Sequence, residues 1–229
     1  MRTIRKSAEC QELRSWKKSN APSPQNIHYA NVPGDVRACM LALLITEQHG
    51  LCAYTMKTIP TRNGKRMAHI EHILPQSAHA KDTVTWTNLL ACVPGSQEAC
   101  EYGARRKDNF DPALHAFPSP TTPGIADEFR FRRNGNVEGV SPRAKAAIVP
   151  KVLNLNHPHL VNDRRAKIKG ALSHKPTAAN ARRRALQLRK PDDEGKLEAY
   201  CEALAQVLET YALQLEGRSG RIAGSRRHP

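Results

Sequence analysis

The sequence lacks several features that would assign it to common protein classes. No apolar run approaches the roughly 20 residues that a membrane-spanning helix needs, which excludes an integral membrane protein. No secretory signal peptide is recognisable, so the six cysteines are not expected to form a disulfide framework, and a cytoplasmic location is the natural setting. No internal repeat and no phosphate-binding Gly-Lys-Ser loop occurs, so any dependence on ATP must come from another protein.

Acidic side chains are also scarce. The chain has 21 Asp and Glu against 36 Lys and Arg, which gives a formal net charge of +15 and a pI near 9.9. Thirteen of these basic residues lie between Arg143 and Lys190, where Asp163 is the single acid. Such a block is typical of phosphate contacts with nucleic acid, and the alternative is a well-solvated basic surface.

The most informative segment runs from Arg66 to Leu90. It places Glu71 beside His72, with Pro75 close behind, and follows them with Asn88 in an Asn-Leu-Leu sequence. A carboxylate can hold a hard divalent cation, and a neighbouring histidine can take a proton from water. The spacing of Asn88 fits a residue that pins the returning loop. The pattern therefore predicts a one-metal nuclease centre.

A hairpin is predicted around this centre. The segments 52–59 and 67–73 have strand-like apolar positions, and the Asn63-Gly64 pair between them favours a tight turn. The Glu-His pair then lies on the second strand, and Cys100 leads into a short basic helix. Hairpin, loop and helix follow one another in the order of a ββα-metal module, which holds one cation between a strand and a helix.

The sequence resembles the HNH endonucleases in the order of four motifs: Cys-Ala-Tyr at 52–54, Ile-Glu-His-x-x-Pro at 70–75, Asn-Leu-Leu at 88–90, and paired cysteines before a basic helix. More narrowly it resembles the PtuB type of Septu and retron anti-phage systems, through MRTIRKS at the start, VRACML before the hairpin, FRFRRNGNVEG at 129–139 and LNLNHPHL at 153–160. The similarity spans roughly residues 1–170. It implies an α+β fold, with an HNH ββα-metal finger embedded in a mainly helical body that carries a second small β-hairpin.

The resemblance also implies residue roles. His72 becomes the general base, Glu71 a ligand of Mg2+ or Mn2+, and Asn88 the residue that orients the loop or the histidine. The HNH pattern has His or Asn after the last cysteine, whereas Glu101 stands there in this chain. We take Glu101 as the second metal ligand, with Asp108 and Asn109 as rivals. The candidates for phosphate binding on the same helix are Arg105, Arg106 and Lys107. The alternative is that these three are ordinary solvated helix residues.

Many HNH proteins fasten the finger with a structural zinc ion held by four cysteines. Three candidates are present here, Cys52, Cys92 and Cys100, but Thr55 stands where the fourth is expected. A neutral hydroxyl is a poor zinc ligand. Either His49 or His69 completes the site, or the zinc is lost and the cysteines pack in the core. Because the fourth cysteine is lacking, we expect elemental analysis of protein purified without added metal to find well under one zinc per chain.

The expected organisation has five parts. Residues 1–33 form a basic, Pro-rich arm, and 34–110 hold a helix and the catalytic module, with Asp35 as N-cap and Gly50 as the helix end. Residues 111–190 provide a loop, a hairpin turning at Asn134-Gly135 and the basic nucleic-acid-binding region. Residues 191–217 form an amphipathic helix whose apolar stripe packs on the protein's own core or on a partner, and 218–229 form a flexible tail.

Two functions follow from these patterns. The first is a metal-dependent endonuclease that cuts DNA or RNA as the effector of an anti-phage complex. By resemblance its partners are a PtuA-like ATPase and, in some systems, a retron reverse transcriptase with its RNA-DNA hybrid. The second is a non-catalytic subunit that binds nucleic acid and keeps the HNH finger only as a scaffold.

Overall fold

Helices predominate over strands in this chain. The computed structural model describes residues 1–95 and 99–225, with the backbone alone for 218–225. Over these residues the fold is mixed α+β, and its sheets are three antiparallel strand pairs. The helices are α1 (Gln11–Ser19), α2 (Gly34–Glu47), α3 (Ala104–Lys107), α4 (Pro142–Ile148), α5 (Pro158–Leu172), α6 (Ala178–Leu188) and α7 (Cys201–Ser225). The strands are β1 (Thr61–Arg62), β2 (Lys65–Arg66), β3 (His69–His72), β4 (Leu89–Cys92), β5 (Phe129–Phe131) and β6 (Val137–Gly139). None of the described helices is long and apolar enough to span a membrane.

Helix α2 forms because its apolar residues recur at four-residue intervals. Val36, Met40 and Leu44 therefore share one face, and all three are buried. The prediction that Asp35 is the N-cap is wrong, since Pro33 occupies that position and Asp35 lies in the first turn. The carboxylate of Asp35 still interacts favourably with the helix dipole there.

The end of α2 is fastened to strand β4. The helix stops at Glu47, and Gly50, with a φ of 76°, donates its N–H to the carbonyl of Ile45 at 2.9 Å. The buried Gln48 side chain donates to the carbonyl of Ala91 and accepts from its N–H, both at 2.7 Å. Gln48 thus satisfies backbone groups of β4 that would otherwise be buried without partners.

Strand β3 pairs with β4 in an antiparallel arrangement that sets His72 opposite Leu89. The prediction that residues 52–59 pair with this strand is wrong. The Asn63-Gly64 turn does form, but it joins only the two-residue strands β1 and β2. Residues 52–56 are buried, as β4 is, but they form a turn in which the N–H of Met56 donates to the carbonyl of Cys52 at 3.0 Å, so they do not run as a strand beside β3.

The second predicted hairpin is confirmed by strands β5 and β6. Phe129 and Phe131 are buried, and the Asn134-Gly135 pair forms the turn. Gly135 has a φ of 90°, and a Cβ built there would lie 2.2 Å from the carbonyl oxygen of Val161. The turn therefore requires glycine because helix α5 crosses directly over it.

Helix α7 buries its apolar stripe within this chain. It begins at Cys201, later than predicted, and packs mainly against α6, with further contacts to α5 and β5. Leu204, Val207 and Leu208 are all buried. This supports packing on the protein's own core and not a docking surface for a partner. The helix continues to Ser225, past the start of the predicted tail, and residues 226–229 lie outside the described part.

Candidate active site

The side chain of His72 is held in one orientation and one tautomer. Its Nε2 lies 2.8 Å from the carbonyl oxygen of Thr83, and because a carbonyl only accepts, Nε2 carries the proton. The edge of the ring meets Tyr29, with ring centroids 4.8 Å apart. Burial lowers the pKa of His72 to about 4. His72 is therefore neutral at physiological pH, with an unprotonated Nδ1.

Asn88 ties together the loop between β3 and β4. Its Oδ1 accepts from the N–H of Leu74 at 2.7 Å, and its Nδ2 donates to the carbonyls of Leu74 at 3.3 Å and Asp82 at 3.0 Å. Thr83, which holds His72, directly follows Asp82. Asn88 thus fixes the loop that orients the histidine, in agreement with the role expected from its spacing.

Glu71 is nearly buried and has two polar neighbours. The ammonium group of Lys107 lies 3.2 Å from its Oε1, and the hydroxyl of Tyr54 lies 3.4 Å from the same atom. Burial raises the pKa of Glu71 to about 7, although the charge of Lys107 acts to lower it. Lys107 also donates to the carbonyl of His72 at 2.9 Å, so helix α3 is joined to both residues of the Glu-His pair.

A polar cavity of about 300 Å3 opens in front of the Glu-His pair. Its lining includes His69, Glu71, His72, Arg105, Asp108 and Asn109. The possible metal donors in the lining are two carboxylates, two side-chain amides, one of them that of Gln76, and two imidazoles. Mg2+ is commonly bound through one or two carboxylates, with water and substrate phosphate completing its shell. This donor set fits that mode, although within the described residues no three His, Cys, Asp or Glu donors converge here as a closed site.

Glu101 is placed away from this cavity, so its prediction as the second metal ligand is wrong. Its side chain is 84% exposed and faces His157, with 3.1 Å between Oε2 and Nε2. The rivals Asp108 and Asn109 do line the cavity with Glu71. Asn109 Oδ1 accepts a hydrogen bond from Ser77 at 3.2 Å. Asp108 is therefore the better placed partner for Glu71.

The three basic residues of helix α3 have three different environments. Lys107 is buried with no exposed side-chain surface, so its prediction as a phosphate contact is wrong. Arg106 is exposed and its Nε donates to the carbonyl of Pro150. Arg105 lines the cavity and donates to the carbonyl of Gly95 at 3.2 Å. Of the three, only Arg105 is placed to meet a phosphate in the cavity.

The predicted zinc cysteines are only partly brought together. Cys52 and Cys92 are buried hydrogen-bonding neighbours, and this contact, with Thr55, helps to lower the pKa of Cys52 to about 6 in spite of burial. Cys100 instead donates to the carbonyl of Tyr102 at 3.4 Å. In the described part of the chain these three sulfurs do not form a cluster of metal-ligand spacing. The geometry offers a thiol pair and no third thiolate.

Part of the basic block forms ion pairs with acids that follow it in the sequence. Arg182 pairs with Glu216 at 2.6 Å and Arg184 with Glu198 at 2.5 Å. The remaining ion pairs between the block and the C-terminal acids join Arg189 to Glu202 and Glu209. The acids that follow the block thus compensate Arg182, Arg184 and Arg189. This corrects the interpretation of these three arginines as phosphate contacts, whereas that of the exposed lysines of the block stays a prediction.

Arg164 belongs to the core. Its side chain is buried and donates to the carbonyls of Gly135 at 2.6 Å and Leu155 at 2.8 Å. Burial lowers its pKa to about 10. A different set of cations faces solvent around a shallow groove between the second hairpin and α5, namely Arg133, Arg165 and Lys169. No acidic side chain lines this groove among the described residues.

Three residues of the site were not predicted to lie at the Glu-His pair, although His69 was considered as a zinc ligand. His69 lines the cavity and lies 2.6 Å from the carbonyl of Pro94 through Nδ1, while burial lowers its pKa. Tyr29 packs on His72, and Tyr54 contacts Glu71. His69 lies two residues before Glu71 on the same strand, so strand alternation was the available signal for it. The two tyrosines come from distant segments; Tyr54 was marked only as part of the Cys-Ala-Tyr motif, and no local pattern marks Tyr29.

No protein-family model matches the chain, and a search of curated proteins gives no match.

Proposed function

We propose that this chain is a metal-dependent endonuclease that hydrolyses phosphodiester bonds in nucleic acid, as its resemblance to HNH proteins implies. The observation that carries the proposal is the state of His72. This imidazole is neutral, fixed by Thr83, and lines a polar cavity together with two carboxylates. A general base needs a defined lone pair at a site that water can reach.

In the proposed reaction, Nδ1 of His72 accepts a proton from the attacking water. The Nε2 proton stays on its nitrogen and continues to bond the carbonyl of Thr83, which stabilises the imidazolium cation that forms. The loop held by Asn88 keeps this carbonyl in place. The proton later returns to solvent through the open cavity.

Glu71 and Asp108 are the residues that would hold Mg2+ or Mn2+. The cation, when bound, neutralises charge on the scissile phosphate and on the leaving oxygen. Arg105 lines the same cavity and would contact a neighbouring phosphate. The groove formed by Arg133, Arg165 and Lys169 provides further sequence-independent phosphate contacts. The mechanism does not distinguish DNA from RNA.

A second candidate is a non-catalytic subunit that binds nucleic acid. It is favoured by the ion pair between Lys107 and Glu71, because the ammonium group already neutralises the carboxylate that a metal ion would need. In this alternative the cavity has only a structural role, and the exposed cationic side chains bind the nucleic acid.

The test compares His72→Ala and His72→Asn with the wild type on plasmid DNA and on RNA in Mg2+ or Mn2+. Both variants should lose cleavage by at least about 100-fold, the lower range for loss of a general base, and both should still bind nucleic acid. Asparagine keeps a side-chain donor for Thr83, so it guards against misfolding. His174→Ala, which changes an exposed histidine outside the cavity, is the control. Cleavage by His72→Asn at the wild-type rate would refute the proposed base.

The resemblance to PtuB further implies a complex with a PtuA-like ATPase, and in some systems with a retron reverse transcriptase. We propose that such a partner restrains the nuclease. Because Leu197, Leu204 and Leu208 of the apolar stripe are buried inside this chain, we expect the partner to bind another surface. Co-purification of the tagged chain from its native operon tests this. A solitary chain with full nuclease activity would contradict the regulated-subunit proposal.

A further inference from the structure

Three metal-ligating side chains meet where helix α1 packs against α2, in a cluster separate from the catalytic cavity. Cys10 is the N-cap of α1, Glu12 lies in its first turn, and Cys39 lies on α2. Their donor atoms all lie within 4.8 Å of one another. The Cys39 thiol donates to Glu12 Oε2 at 2.9 Å. Residues from two different helices therefore converge on one point.

We propose that Cys10, Glu12 and Cys39 form a Zn2+ site. Two sulfur donors and one carboxylate are a set that zinc accepts, whereas Mg2+ and Ca2+ prefer oxygen alone. Tetrahedral zinc sets its two sulfurs about 3.8 Å apart, from Zn–S bonds of about 2.3 Å. The cluster thus needs only small side-chain adjustments. Glu12 is exposed, so water can take the fourth position.

Zinc binding at this cluster requires both thiols in the deprotonated form. Binding of zinc releases the thiol protons of Cys10 and Cys39 to solvent. The carboxylate of Glu12 then changes partner, from the thiol of Cys39 to the metal ion.

Zinc at this position would join α1 to α2. The N-terminal segment is already attached to the end of α2, where Glu47 accepts from Lys6 at 2.6 Å and from the N–H of Ser7 at 2.7 Å. The same carboxylate accepts from Trp86 at 2.9 Å, next to the loop that holds His72. The ion would therefore strengthen the attachment of this segment without contacting the catalytic cavity.

The test is a titration of the reduced, metal-free full chain with Co2+, followed by Zn2+. We expect one equivalent of Co2+ to give thiolate-to-metal absorption, and Zn2+ to displace it and raise Tm by about 5 °C under saturating conditions. Cys10→Ser and Cys39→Ser should abolish the absorption. Glu12→Gln changes an exposed residue, cannot unfold the core, and should weaken Zn2+ binding by about tenfold or more.

Two cysteine variants outside the cluster make the result specific. Cys100→Ser is the matched control and should bind like the wild type, because this partly exposed thiol lies elsewhere. Cys92→Ser tests whether the metal ion binds instead at the buried pair of Cys52 and Cys92. Absence of a thiolate band in the wild type would overturn the proposal. So would a band that survives in Cys10→Ser, or one that is lost only in Cys92→Ser.

Discussion

Replacement of Lys107 by methionine probes the connection between helix α3 and the Glu-His pair. Methionine keeps most of the length and the apolar stem of lysine but removes the charge and the donor. In the native chain this buried ammonium donates to the carbonyl of His72 at 2.9 Å and lies 3.2 Å from Glu71. In the variant the buried carbonyl of His72 therefore loses a hydrogen-bond donor, and the buried carboxylate of Glu71 loses its countercharge.

The size of the effect depends on pH. Loss of a partner for a buried polar group costs about 1–3 kcal/mol, so at pH 7 we expect unfolding free energy to fall by about 2 kcal/mol. The folded pKa of Glu71 is already about 7, so the orphaned carboxyl avoids a larger penalty by binding a proton. Its folded pKa then rises further above the unfolded value. Stability should be lost with rising pH, by about 1.4 kcal/mol per unit above pH 7, until that new pKa is reached.

Urea unfolding of metal-free protein between pH 6 and pH 9 measures both quantities. In the wild type this slope should fade between about pH 7 and pH 8, because the folded pKa of Glu71 is about 7 and the carboxyl is then ionised in the folded state as it is in the unfolded state. Arg106→Met, on the same turn but exposed, is the control and should change neither stability nor slope. If Lys107→Met resembles this control and instead weakens nucleic-acid binding, Lys107 is a solvated phosphate contact and the buried arrangement is wrong.

Three further predictions follow from other buried groups. Arg164→Lys should lower the unfolding free energy by about 2–3 kcal/mol in urea titrations, because lysine keeps the charge but lacks the guanidinium group that donates to two carbonyls. Arg165→Lys, at an exposed position, should leave the unfolding free energy unchanged. The second prediction concerns metal-free Glu71→Gln, in which the folded pKa of His72 stays below its unfolded value. The unfolded chain then binds more protons than the folded chain between pH 4 and 6.5, so the unfolding free energy should rise across this window by about 3 kcal/mol. A flat profile would contradict the burial of His72. Elemental analysis should find the same zinc content in Cys92→Ser as in the wild type, because Cys92 contacts the thiol of Cys52 and, among the described residues, no third metal-ligating side chain joins this pair. Loss of one equivalent would show a zinc site at this pair.

Local patterns were sufficient for the elements whose packing partner is close in sequence. Helix α2 follows from its four-residue apolar spacing, and the Asn134-Gly135 hairpin follows from alternating phenylalanines and a turn pair. The role of Asn88 was also predictable, because its hydrogen bonds close a loop that begins at His72. In each case the physical cause lies within about 20 residues of chain.

The errors share a different cause. The pairing partner of β3 was mispredicted because the choice between residues 52–59 and β4 depends on long-range packing in the core, which the local sequence does not encode. Glu101 was misplaced because α3 begins only after Gly103, whose φ of 68° redirects the chain. Lys107 appeared solvated beside two arginines, yet it lies three residues after the buried Ala104 and so shares its inward face.

The ion pair of Lys107 and Glu71 sets the conditions under which the proposed nuclease can hold its metal ion. Lys107 and Tyr54 both contact Oε1 of Glu71, so a cation must approach from the cavity side and share the carboxylate with a fixed positive charge. Coulomb repulsion from the ammonium opposes that approach, and Asp108 offsets it only in part. A substrate phosphate would bring the missing negative charge into the same cavity, beside Arg105. If the chain is the proposed nuclease, the metal ion and the nucleic acid should therefore bind cooperatively. Neither the two carboxylates nor the phosphate alone provides enough negative charge to hold the cation beside Lys107.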